Sequence, residues 1–153
     1  MFMRLIIIMM LLMTGISTFA QDKTEVGRCT DSAMHSRLVS MGDALIDQGY
    51  KVVSFNLMSM PSGYFVPVAV PVQQGKEYQV FFLANKNYHQ YSFALIDDKR
   101  NKLKDLKVKS KTGTSNEFTH EFKASYTGTM WIILSQKVRG QEESCGGLNV
   151  LER

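Results

Sequence analysis

The chain has 153 residues, a formal net charge of +4, 44% hydrophobic and 21% charged residues, and two cysteines. That size fits one ordinary domain with a core of its own. So modest a charge excess does not argue for nucleic acid, and the lack of any Cys-x-x-Cys leaves a zinc ribbon or a thioredoxin-like redox motif without support.

Residues 1–20 read as a cleavable secretory signal peptide. Arg4 is the cation, Leu5 to Met13 is an unbroken apolar stretch, and Thr18 and Ala20 are the small residues before a cut at Ala20–Gln21. An N-terminal membrane anchor is the alternative, but the apolar stretch falls short of the about 20 residues a span needs. The polar run Gln21-Asp22-Lys23-Thr24-Glu25 also follows at once. The expectation is a secreted or periplasmic domain over residues 21–153, with no stable membrane anchor after cleavage. In an oxidising compartment Cys29 and Cys145 are expected to form a disulfide, with two buried thiols as the alternative. A loop this long is worth about 4.7 kcal/mol in the chain-entropy model.

After Cys29, Thr30, Asp31 and Ser32 offer N-caps, and Met34, Leu38, Met41 and Leu45 recur at helical spacing. With Gly49 as a stop, the pattern predicts a helix over residues 32–48. Everything after it reads as short strands broken by turn residues. Val53, Phe55 and Leu57 alternate in the first, which ends before Met60-Pro61-Ser62-Gly63. The second, from Tyr64 to Val72, carries Pro67 and Pro71 and is expected at a sheet edge or interrupted. Further strands are expected over residues 77–84, 91–97, 102–109, 117–124, 129–136 and 145–151. Seven or eight such strands without alternating helices predict a mainly β fold, an antiparallel β-sandwich of jelly-roll type with one N-terminal α-helix packed on it. No internal repeat or linker argues for a second domain.

Three stretches carry a family cadence: Gly75-Lys76-Glu77-Tyr78, then Phe93-Ala94-Leu95-Ile96-Asp97, then Tyr126-Thr127-Gly128-Thr129 before Met130-Trp131. This resembles the jelly-roll domains of the bacterial pre-peptidase C-terminal family. The resemblance implies an exported, non-catalytic β-sandwich that binds polymers at the cell surface. The chain departs from that family in standing without a protease and in having a helix and a terminal cysteine pair. No functional residue is carried over.

Of the three histidines, His35 falls beside the helix's apolar stripe and is expected to face solvent. His120 shares a strand face with Phe118 and Phe122, so it is either a histidine bonded at the rim of the core or a pKa-tuned functional group. Tyr88, His89, Gln90 and Tyr91 form the most binding-like stretch, with rings for stacking beside amides for orientation. Their alternative is a polar hairpin in which Tyr91 simply begins a strand. The lysine-rich stretch from Lys99 to Lys111 is either a solvated edge or a face for an anionic polysaccharide, lipid headgroups or phosphate. No His-x-His, calcium-loop, nucleotide-binding or Gly-x-Ser-x-Gly pattern occurs, so no metal and no cofactor is expected.

These residues point to a small exported binding or interaction domain rather than an enzyme. Its expected partner is a surface polysaccharide, a peptide or another envelope or secreted protein, not nucleic acid. The alternatives are a small hydrolase or inhibitor-type protein using His120 with a carboxylate or Cys145, and a structural envelope component that assembles through the Pro67–Pro71 edge.

Overall fold

The computed structural model describes residues 27–153, and the leader expected over residues 1–20 lies outside them. A helix α1 (Ser32–Ile46) is followed by eight strands: β1 (Lys51–Pro61), β2 (Val66–Val72), β3 (Glu77–Leu83), β4 (Tyr88–Ile96), β5 (Lys102–Lys109), β6 (Glu117–Lys123), β7 (Gly128–Val138) and β8 (Glu143–Glu152). Asp31 caps the helix by accepting the Met34 N–H at 2.9 Å. The helix ends two residues before the expected point because the chain turns through Gly49, at φ 90°, and the Tyr50 N–H returns to the Leu45 carbonyl at 3.0 Å.

The strands form two antiparallel four-stranded sheets in the orders β1-β8-β3-β6 and β2-β7-β4-β5. All but one of the strand-to-strand connections, β4–β5, cross from one sheet to the other. This is the eight-stranded double Greek key of a jelly roll, the sandwich that the strand spacing predicts. Tyr78, Phe82, Phe93, Leu95, Ile132 and Leu148 are almost wholly buried in the core between the sheets.

Helix α1 lies on the outer face of the β1-β8-β3-β6 sheet, hereafter the covered sheet. A second apolar cluster there joins Met34 and Leu38 to Phe81, Leu83 and Leu151. With the core on one face and the helix on the other, β3 from Val80 and β8 from Gly146 to Leu151 are buried without a break. Gly147 in β8 admits the helix: a Cβ there would stand 3.0 Å from Leu38 Cδ2. The β2-β7-β4-β5 sheet, hereafter the open sheet, has no element on its outer face among the described residues.

Two local readings are corrected by bulges, each of which moves one residue out of alternation. An irregularity between Val52 and Ser54 turns Val53 into the main core, while Phe55 and Leu57 go under the helix. The single stripe expected for Val53, Phe55 and Leu57 is therefore split. Strand β1 also continues through Pro61, past the expected stop.

Strand β2 is an uninterrupted edge, paired with β7 from Val66 to Val72. Pro67 and Pro71 share parity and cannot donate to β7, so both present their missing N–H on the free side. That leaves few donors for another strand and protects the edge from augmentation.

Cys29 and Cys145 are joined in a disulfide, with Cα atoms 5.7 Å apart and 116 residues between them in sequence. The bond ties the segment before α1 to the start of β8, where the Cys29 N–H also donates to the Leu57 carbonyl of β1.

Candidate functional site

Side chains on β4 from Tyr91 and on β7 up to Leu134 alternate between the core and the outer face. Met130, Ile132 and Leu134 point inward, so Trp131, Ile133, Ser135 and Lys137 point out on the open sheet. Beside them on β4 stand Gln90, Ser92, Ala94 and Ile96, with Ser92 opposite Ser135 and Ala94 opposite Ile133. The two serine hydroxyls are 2.6 Å apart. On the far side, β5 sets Lys109 opposite Gln90 and Lys107 opposite Ser92.

The turn between β1 and β2 overhangs this surface. Gly63, at φ 84°, allows the reversal, and its N–H donates to the Gln136 carbonyl of β7 at 2.7 Å. The Gln136 side chain is buried, donating to Ser144 Oγ at 2.8 Å and the Cys145 carbonyl at 2.9 Å, which fixes β7 at that point. The result is a groove of about 820 Å³, floored by Ala94, Ile133 and the serine pair and walled by Phe65 and lysines. Phe65 is 71% exposed, and Trp131, directly opposite Ile96, is 41% exposed. Trp131 stands outward on β7, and Phe65 lies in the turn just before β2.

A smaller hollow of about 450 Å³ opens at the ends of the same strands, lined by Asn87, His89, Lys111 and Arg139 among others. A third, of about 690 Å³, runs between the β1 and β2 edges beside Arg28, His35 and Phe55. His35 is exposed on the helix, with its ring edge-on to Phe55 at 5.2 Å.

The four residues of the binding-like stretch do not share one surface. The second bulge lies between Tyr88 and Gln90, with His89 the extra residue, and it lets both tyrosines enter the core. Tyr88 and Tyr91 are 5% and 3% exposed, with ring centroids 5.0 Å apart, so neither offers a free stacking face. Burial raises the Tyr91 phenol above its ordinary pKa, and the Tyr88 hydroxyl is spent on the Ser115 carbonyl at 3.0 Å. His89 faces the smaller hollow, while Gln90 joins the groove.

His120 is half-buried on β6 between Phe118 and Phe122, with ring centroids at 6.2 and 6.4 Å, and Phe93 at 6.1 Å. Desolvation first, and the Lys104 cation second, lower its pKa below the usual histidine value, with Glu121 acting the other way. Glu121 accepts a bond from Gln79 at 2.7 Å on the outer face of the covered sheet. Cys145 is held in the disulfide and is not a free thiol. Among the described residues no three His, Cys, Asp or Glu side chains gather where a metal ion could sit.

The family-like cadence residues have structural work. Tyr78 is buried and donates to Glu152 at 3.0 Å, and Asp97 closes the β4–β5 turn by accepting the Asn101 N–H at 2.7 Å. The Tyr126 ring lies against Gly128, and its hydroxyl accepts from the Asp98 N–H at 3.2 Å, pinning two turns together. No family model matches the chain, and no curated protein matches it at a significant level.

The sequence reading missed Phe65, Trp131, Ser92, Ser135 and Lys137. The signal for the β7 residues was present in strand parity: once Met130 and Ile132 are placed inside, Trp131 and Ile133 must lie outside. Phe65 had no such signal, because its position depends on how the turn folds over β7.

Proposed function

We propose that the protein is an exported, non-catalytic domain that binds a polysaccharide chain along the outer face of the open sheet. The carrying observation is the groove itself, with a floor of aliphatic and hydroxyl groups beside exposed Phe65, and with Trp131 exposed next to its Ile96 end. A sugar ring has the same two-sided chemistry. Its C–H faces pack on Ile133, Phe65 and Trp131, while its hydroxyls exchange hydrogen bonds with Ser92, Ser135 and Gln90. An open groove on a rigid sheet suits a chain that enters and leaves at both ends. The disulfide supports an oxidising destination, and among the described residues no helix is long and apolar enough to cross a membrane. The likeness to pre-peptidase C-terminal domains points the same way, toward surface polymers.

Glycan-array binding with the oxidised protein tests the proposal. A bound polysaccharide is expected, and Trp131→Ala and Phe65→Ala are each expected to lower its affinity about tenfold, equivalent to about 1.4 kcal/mol. Folded protein that binds no polysaccharide, or binding that ignores both substitutions, would overturn it.

A further inference from the structure

The groove's charge identifies the kind of chain it takes. We infer that the ligand is an acidic polysaccharide bearing carboxylates, held by a basic track along β5 and β7; this rests on the polysaccharide reading above.

Lys107 on one wall and Lys137 on the other line the groove, and Lys109, opposite Gln90, is the next outward residue of β5. None of the three takes part in an ion pair among the described residues, where the paired cations are Arg37, Lys76, Lys102 and Arg153. The one acid lining the groove, Asp105, is already held by Lys102 at 2.7 Å. The groove therefore presents uncompensated positive charge, while Glu77, Glu117 and Glu152 sit on the covered sheet, each paired with a cation.

The lysines do not converge on a point. Lys109 and Lys137 flank Gln90 from opposite sides, two strand spacings or about 10 Å apart, and Lys107 and Lys109 are separated by about 7 Å along their strand. A single small anion cannot satisfy them together. A chain carrying a charge on successive units can, and Lys111 and Arg139 line the smaller hollow just past the strand ends.

Chemistry narrows the polyanion. The floor between the lysines is Ser92, Ser135 and Gln90, hydroxyl and amide groups that match sugar hydroxyls, while Ala94 and Ile133 suit C–H faces. The surface is furrowed rather than convex, which fits a chain better than a lipid headgroup plane. The disulfide is compatible with export, and an exported protein can meet surface glycans.

Binding of the oxidised protein to polygalacturonate, its fully methyl-esterified form, polyglutamate and phosphatidylglycerol vesicles tests this inference. Polygalacturonate is expected to bind best, with an affinity that falls as salt rises. The double variant Lys107→Glu/Lys137→Glu is expected to lose more than about tenfold, whereas Lys51→Glu at the far edge of the covered sheet leaves binding unchanged. Both sites are exposed, and an unchanged unfolding midpoint verifies that the variants fold. Equal binding of the esterified chain would overturn the acidic inference and keep the polysaccharide reading. Tighter binding to polyglutamate or to vesicles would overturn the assignment of the polyanion to sugar. Failure to bind any polysaccharide would overturn the underlying reading as well.

Discussion

The two sheets have the same number of strands and the same antiparallel pairing, yet their outer faces have opposite fates. On the covered sheet, Leu38 of α1 packs over Gly147, and β8 is buried through nearly its whole length. On the open sheet, Trp131, Ile133 and Ser135 point outward with no helix or strand above them among the described residues, only the turn through Gly63 and Phe65 at one side. Outer burial on one side adds stability to a core that the jelly roll already has. The bare side leaves Trp131 exposed and Ile133 and Ser92 half-buried, with only Ser135 closed off.

If that division is right, matched truncations on the two outer faces should differ sharply. Leu38→Ala removes a fully buried knob between helix and sheet and is expected to cost about 2–5 kcal/mol in urea unfolding. Ile133→Ala, on the open face, is expected to stay within about 1 kcal/mol. Similar losses at both sites would mean that the open face is not spare surface.

A smaller effect probes how closely the helix must approach. Gly147→Ala adds a methyl 3.0 Å from Leu38 Cδ2 and 3.3 Å from Leu57 Cδ2, so these side chains have to give way. Overpacking of this kind costs about 1–3 kcal/mol. Combining it with Leu38→Ala should recover part of that loss, since the clashing side chain is gone. A double mutant that is simply additive would place the strain elsewhere.

The same contrast explains what could be read from the sequence. Strand spacing and turn residues carried the sandwich, and Met34, Leu38, Met41 and Leu45 carried the helix, because both signals are local periodicities. The bulges at Val53 and His89 were invisible, since one extra residue leaves composition unchanged while reversing every side chain beyond it. That is why Tyr88 and Tyr91 read as surface rings and are core residues. Lys107 and Lys109 were legible as one face of a strand, but their meeting with Lys137 and Ser135 is set by sheet order, which links residues nearly thirty positions apart.

The smallest effect lies on the seam where the two sheets meet. His120 on β6, the edge of the covered sheet, is desolvated by three phenylalanines and faces the Lys104 cation from β5, the edge of the open sheet. Its folded pKa is lowered from 6.5, so the unfolded chain binds that proton more tightly. The neutral histidine's contribution is complete above pH 6.5 and is lost as pH falls from there toward the folded pKa. Carboxylates such as Glu77 and Glu117, whose pKa values are lowered from 4.5 by arginine partners, lose their contributions only at lower pH. Unfolding midpoints measured between about pH 7 and pH 5 should therefore decline less for His120→Gln than for the unsubstituted protein. Adding Lys104→Gln to the unsubstituted protein should shrink the decline partway, because desolvation, the larger cause, remains. Parallel curves for all three proteins would mean that the seam is wet enough to leave His120 unperturbed.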